Sequence, residues 1–302
     1  MVETKTEAYR QSIYAEVTTR VIKELEEGRL PWVQPWDSAH CGCAMPHNAA
    51  SKRIYSGINV LILWAAGIDK GYRSQAWLTY RQALAAGGNV RRGETGTIVC
   101  YADHFTPKDE EQRAREEGRE AQQRAFLRRF TVFHVDQCEG LTDALIQPAM
   151  PLAQREMIAR ADALIAATGA EFRVGGPQAF YSPRGDFISV PHRQAFHDRI
   201  NFYRTALHEL GHWSGHRSRL DRDQTGIYGS ADYAREELVA EMGCAFTCAS
   251  LSIHPTVRHS DYIGAWLAVL REDERAIFRA ASQASKAADY LLSHTPAEEW
   301  PS

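Results

Sequence analysis

The apolar positions of the first stretch recur every four residues, at Ile13, Val17, Val21 and Leu25. A helix turns once in about 3.6 residues, so these positions form one stripe, and the spacing predicts an amphipathic helix over Glu7 to Glu27, stopped by Gly28. "LPWVQPW", Leu30 to Trp36, carries two prolines and reads as extended. "INVLILWAAG" has hardly any polar face, which predicts a buried helix. "WLTYRQALAAGG" predicts a third helix closed by Gly87 and Gly88. "GTIVCYAD" and "RRFTVFHVDQ" are rich in β-branched and aromatic residues over strand-like lengths. Between them, residues 106–129 are dense in both charge signs. They read as a solvated helix or a mobile insertion that extends a hairpin, and no function follows from them.

Two prolines in "IQPAMPLAQ" interrupt the pattern and mark a boundary, giving domains over 1–145 and 146–302. Beyond it, Met157 to Ala167 is helical and ends at Gly169. "AFYSPRGDFISVP" predicts two short strands about a Pro-Arg-Gly-Asp turn. Helices are expected at Phe202 to Ser214, at Ala231 to Leu251 and from Tyr262 onward. The fold class is therefore α+β, with an α+β first domain and a mainly helical second domain carrying a small sheet.

Composition leaves that picture standing. The 302 residues are 44% hydrophobic and 24% charged, with a formal charge of -3, as in a soluble globular protein. No apolar run reaches the roughly 18 residues of a membrane span. The polar start, "MVETKTEAYRQ", lacks the apolar segment of a signal peptide, so a cytoplasmic location is expected and no membrane partner. The six cysteines, Cys41, Cys43, Cys100, Cys138, Cys244 and Cys248, are scattered, which suits reduced thiols better than a disulfide framework. "HCGCAMPH", His40 to His47, lacks a CxxC spacing and a second ligand pair, so a metal site there is disfavoured.

The stretch "TALHELGHWSGH" changes the picture. An HExxH run stacks His208 and His212 over one helical turn and leaves Glu209 beside whatever they bind. A catalytic metal needs a third ligand. A continuation to HExxHxxGxxH fails, because the last position is Ser218; His216 reads as a residue near the helix end. "YAREELVAEMGCAF" offers Glu237 and Glu241 on the apolar face of a helix, where paired carboxylates are costly unless a cation neutralises them. The assignment is Glu237 as ligand and Glu241 as the group behind a histidine, with the reverse assignment open. Glu236 points about a third of a turn away. Such a His2Glu set suits one divalent ion, zinc best, with manganese, nickel and cobalt also fitting. The implied chemistry is hydrolysis, in which bound water becomes acidic near pH ~7 and Glu209 takes its proton. Tyr181, Tyr228, Tyr233 and His216 are the candidate donors to a developing oxyanion, and "DFISVP" a candidate edge for an extended peptide. The bland alternative is a solvated acidic face.

Between Ser51 and Gly93 lie Lys52, Arg53, Lys70, Arg73, Arg81, Arg91 and Arg92 against the single acid Asp69. Tyr55, Trp64, Tyr72, Trp77 and Tyr80 are interleaved with them. Cations that follow phosphates and rings that stack on unpaired bases suit single-stranded DNA. The candidate contacts are Lys52, Arg53, Tyr55, Arg73, Trp77, Arg81, Arg91 and Arg92. The competing reading makes Trp64 and Trp77 core residues and the arginines ordinary surface.

With both halves in view, the sequence resembles the ArdC antirestriction family of conjugative plasmids over nearly its full length. The resemblance rests on "GRLPWVQPW", "PHNAASKRIYSGINVLIL", "QAWLTYRQALAAGGNVRRGETGT" and "FTVFHV" in the first half. In the second half it rests on "AFYSPRGDFISVP", "HELGHWSGHRSRLDR" and "YAREELVAE". It implies a plasmid-primase-like single-stranded DNA-binding domain joined to a zincin-like metallopeptidase domain. It also implies protection of incoming DNA from host restriction, with a protein of the restriction system as a candidate substrate. The glutamate run is similar to gluzincin-like families; Glu241 stands where many of those have Asp or Asn. The competing function is a non-catalytic DNA-binding protein with a structural or vestigial metal site. A nuclease or primase is disfavoured, for there is no acid cluster suited to two metals and no phosphate-cradling glycine loop.

Overall fold

A computed structural model describes residues 12–33, 44–106, 108–121, 124–146, 152–255 and 262–295. Along the chain run α1 (Ile13–Glu26), β1 (His47–Asn48), α2 (Ile58–Lys70), β2 (Ala76–Leu78), α3 (Tyr80–Ala85), β3 (Asn89–Val90), β4 (Thr97–Phe105), α4 (Lys108–Glu117), β5 (Arg124–His134), β6 (Cys138–Glu139) and α5 (Asp143–Ile146). They are followed by α6 (Gln154–Thr168), β7 (Glu171–Val174), β8 (Phe180–Ser182), β9 (Phe187–Val190), α7 (Arg199–Ser214), α8 (Ala231–Ser250), α9 (Ile263–Glu272) and α10 (Ala276–Leu292). The class is α+β, with two domains. Residues 7–11 of the first expected helix lie outside the described residues, as do His40, Cys41 and Cys43. The other four cysteines are buried free thiols.

The described residues fall into two compact units that a single cut at 146 does not reproduce. One contains His47–Arg53 and Ala76–Gln147; the other joins the chain up to Pro46 and Ile54–Gln75 to the chain from Pro148 onward. The reason is where the large apolar side chains are buried. Trp32 packs edge-on to Trp266 at 5.4 Å, and Trp64 packs edge-on to Phe246 at 5.7 Å, so α2 and the segment after α1 share a core with α8 and α9. Such aromatic pairs add about 0.5–1.5 kcal/mol each beyond the area they bury.

In the smaller unit the sheet order is β1-β2-β5-β4, with β1 parallel to β2 and the remaining pairs antiparallel. The expected third helix is shorter than its pattern suggested. Ala76–Leu78 is a fully buried strand, and Thr79 caps α3 in a reciprocal capping box with Gln82. β4 ends at Phe105, just before the charged stretch, and β5 already begins within it at Arg124, so the insertion proper is shorter and carries α4.

In the larger unit a three-stranded sheet has the order β7-β9-β8. The residues of "DFISVP" form β9, which pairs with β7 on one side and β8 on the other. It is the central strand, so the expected peptide edge is not there. The single helix expected from Tyr262 breaks into α9 and α10 at Asp273, whose carboxylate accepts from the Arg275 amide at 2.9 Å. The middle helix of this unit is α8. It sends Leu238, Met242 and Phe246 into one hydrophobic cluster and Cys244 and Cys248 into another. No helix among the described residues is long and apolar enough to cross a membrane.

Candidate metal centre

Two capped helices meet here. Asp198 caps α7 by accepting from the Ile200 amide at 3.2 Å, and Ser230 caps α8 by accepting from the Tyr233 amide at 3.2 Å. They cross where Gly211 faces Ala240; a Cβ on Gly211 would lie 3.3 Å from the Ala240 carbonyl oxygen. That close approach sets the site. His208 and His212 lie on α7 beside Gly211, and Glu237 and Glu241 lie on α8 beside Ala240. Each pair is four residues apart and shares a helix face.

Ligand atoms of His208, His212 and Glu237 all lie within 4.8 Å of one another. Glu237 Oε2 is 3.6 Å from His208 Nε2, and its Oε1 is 3.4 Å from His212 Nε2. Glu241 Oε1 is 3.8 Å from the opposite ring nitrogen of His208, Nδ1. Glu209 is buried next to His208 and lines the same cleft, of about 440 Å³, with Gln178 to Tyr181 of the β8 segment on one wall and Tyr228, Tyr233 and Tyr262 on another.

One partner was not legible in the sequence. Glu236 Oε1 lies 3.2 Å from His212 Nδ1, and Arg222 donates to both Glu236 oxygens, at 2.8 and 3.0 Å. The Arg222 guanidinium also donates to the Gly211 carbonyl at 2.6 Å and to Ser214 Oγ at 2.9 Å. The third of a turn that takes Glu236 off the Glu237 face aims it at the far nitrogen of His212. A carboxylate there favours a proton on Nδ1 and leaves Nε2 as the donor atom.

The set fits a cation. Glu209, Glu236, Glu237 and Glu241 bring four buried or nearly buried carboxylates against one buried guanidinium, Arg222. Burial alone would raise the Glu237 pKa, but His208 and His212 hold it far below the usual carboxylate range. Burial would lower that of His212, but Glu236 and Glu237 hold it well above the ordinary imidazole value. In the cation-free protein the charged His212 therefore adds stability below pH ~6.5, lost as pH rises through its raised pKa. Glu237 adds stability above pH ~4.3, lost as pH falls through its depressed one. These are halves of one interaction, intact in the window between the two. A cation needs His212 neutral, so its binding at pH 7 is expected to expel about one proton. Calorimetric titration of Zn(II) or Mn(II) in two buffers of different ionisation enthalpy should give heats that differ accordingly. Equal heats would refute the linkage.

The four candidate oxyanion donors separate. Tyr181 donates to Asp186 at 2.9 Å and accepts from Arg219 at 3.2 Å, so its proton is already engaged. His216 is held by Ser218 at 2.7 Å and lines a neighbouring groove. Tyr233 faces the cleft, accepting from the Tyr262 hydroxyl at 3.4 Å. Burial, that bond and the Glu237 charge raise its pKa, so the phenol stays protonated. Tyr228 is largely exposed at the rim.

The DNA-contact candidates fare unevenly. Lys52, Arg53, Arg81, Arg91 and Arg92 are exposed in the smaller unit, Arg91 being tied to Glu94 at 2.8 Å and to the Asp136 carbonyl at 2.6 Å. Arg73 is exposed in the larger unit. Two aromatic assignments are corrected. Trp77 is 0% exposed, edge-on to His134 at 5.0 Å, and Tyr55 is 5% exposed, so neither ring has a face for a base. Both are drawn inside by the apolar area they bury.

Comparison with known proteins places these features. Residues 11–133 match the family described as the N-terminal domain of anti-restriction factor ArdC, and residues 159–283 the family described as zincin-like metallopeptidase. The chain is 39% identical to the antirestriction protein ArdC of plasmid R388, over 94% of this chain and 98% of that one. The TM-score is 0.79 to its metal-free crystal structure and 0.75 to its Mn(II)-bound one. An uncharacterized protein, y4eC, of Sinorhizobium fredii is 40% identical over 92% of this chain and 91% of its own length. A DNA primase TraC of Escherichia coli is 38% identical over 94% of this chain, which spans 27% of that protein.

Proposed function

The chain belongs to the ArdC antirestriction family, and from that premise we propose that it binds single-stranded DNA and carries a metal-dependent hydrolase centre, acting together to protect incoming conjugative DNA from host restriction. The observation that carries the hydrolase half is the convergence of His208, His212 and Glu237 with Glu209 in one cleft. His208, His212 and Glu237 are the proposed ligands, with Glu236 and Glu241 orienting the imidazoles. Zinc suits this donor set, and the R388 relative has an Mn(II)-bound structure. A cation held there supplies Lewis acidity and favours ionisation of water. Glu209 accepts the proton of the attacking water and returns it to the leaving amine. Tyr233 donates to the oxygen that gains charge. β8, paired only with β9 among the described strands, borders the cleft and supports an extended peptide as substrate.

A second reading has specific support. The same carboxylates sit on α8, the helix shared by two hydrophobic clusters, as in a structural metal site. Protection of transferred DNA in cells carrying Glu209→Gln separates the two. Lost protection supports hydrolysis; full protection with the cation retained supports binding alone.

For the DNA half, simultaneous substitution of Lys52, Arg53, Arg91 and Arg92 by alanine is expected to weaken binding of oligothymidine and flatten its dependence on salt. Each lost phosphate contact reduces the slope by roughly 0.7. An unchanged slope would remove this stretch as the DNA surface.

A further inference from the structure

Trp77 is buried in the smaller unit and Tyr55 in the larger one, so neither ring can stack on a base, and the smaller unit offers another pair that can. The register of β4 and β5 pairs Val99 with Phe130 and Tyr101 with Arg128. In an antiparallel ladder such partners, and every second residue, lie on one face. At the root of that face Val99 and Val132 are buried; further out Tyr101 is 43% exposed and Phe130 38% exposed. The two outer rings meet edge to face, 5.4 Å between centroids at 82°, and the Arg128 guanidinium carbon stands 5.4 Å from the Phe130 ring.

We propose that Tyr101 and Phe130, with Arg128 and Arg53, form a platform on which the bases of single-stranded DNA stack. This rests on the DNA-binding reading above and names the surface for it.

Each ring buttresses the other, which lowers the side-chain freedom lost when a base covers the pair. The charge fits a polyanion. Among the described side chains of β4 and β5 the charged groups are Arg128 and Arg129, and there is no carboxylate. Arg53, exposed in the same unit, adds positive charge that Tyr101 feels: burial raises the phenol's pKa, and the Arg53 charge works against it. The formal charge of the whole chain is -3, so this is a local concentration of cations. An aromatic pair flanked by guanidinium groups suits π-faces joined by phosphates better than an aliphatic peptide face.

The test uses the full chain and two fluorescent oligonucleotides of equal length, oligothymidine and an abasic strand. The wild type should bind the base-bearing strand more tightly. Tyr101→Leu/Phe130→Leu keeps apolar volume on the strands and removes the π-faces. It should bind oligothymidine roughly 5- to 100-fold more weakly, leaving the abasic affinity and the salt slope unchanged. Arg128→Ala should instead lower the slope for both strands. If a variant with an unaltered melting curve binds oligothymidine as the wild type does, or weakens equally on both strands, the platform is overturned. Wild-type protein that binds neither strand overturns the DNA-binding reading itself, a separate failure. Should the leucine pair fail to fold, Phe130→Trp supplies the readout: the indole should be quenched by oligothymidine and not by the abasic strand, and quenching by neither overturns the platform.

Discussion

Glu237→Ala protein, purified beside the wild type, is expected to hold its divalent cation at least ~100-fold more weakly, the upper end of what loss of a merely supporting group costs. The expectation follows from the distances. Glu237 alone reaches the Nε2 atoms of both histidines, at 3.6 and 3.4 Å. Glu241 has no route to replace it, because its oxygen lies on the other side of the His208 ring, 3.8 Å from Nδ1. Glu241→Ala should therefore weaken binding by only ~10- to 100-fold, through lost orientation of His208. Elemental analysis of the two variants after dialysis ranks them. A cation content that survives Glu237→Ala and collapses in Glu241→Ala would reverse the two roles.

Glu209→Gln is expected to lower hydrolysis of a labelled casein or a mixed quenched-peptide library by ~10²- to 10⁴-fold, the usual worth of a general base. Cation content and oligothymidine affinity should be unchanged. Glutamine keeps the shape of the side chain and removes its capacity to accept a proton. Glu209 is buried beside His208, outside the cluster of ligand atoms, so the change falls on proton transfer and not on binding. Undiminished turnover would remove Glu209 as the base. Wild-type protein loaded with Zn(II) or Mn(II) that cleaves neither substrate favours the binding-only reading.

The parts of this site that follow a helical repeat could be read from the sequence. His208 and His212, and Glu237 and Glu241, are each four apart, and that arithmetic alone puts each pair on one face. Glu236 could not be read in the same way, because its role depends on Arg222, which arrives from the loop between α7 and α8. Burial was equally invisible. Composition cannot tell a tryptophan that covers a core from one that meets a base, and Trp77 proved to be the former. The run around it suits either a strand or a helix until Thr79 is seen to cap α3. β9 reads as an edge in the sequence because its parallel neighbour β7 is only four residues long, too short for alternation to stand out. α1 and α2 precede the expected boundary, yet their apolar faces pack with elements that follow it.

The position of α8 has a consequence for how this protein can change over generations. On the proposed reading, catalysis would be switched off at Glu209, a single residue that glutamine matches in shape. The acids of α8 are different: they ride on the helix that two clusters of side chains use as their common wall. If the proposed reaction were abandoned in a lineage, its His208–His212–Glu237 cluster would be kept for a long time, because dismantling it means rebuilding the interior around it.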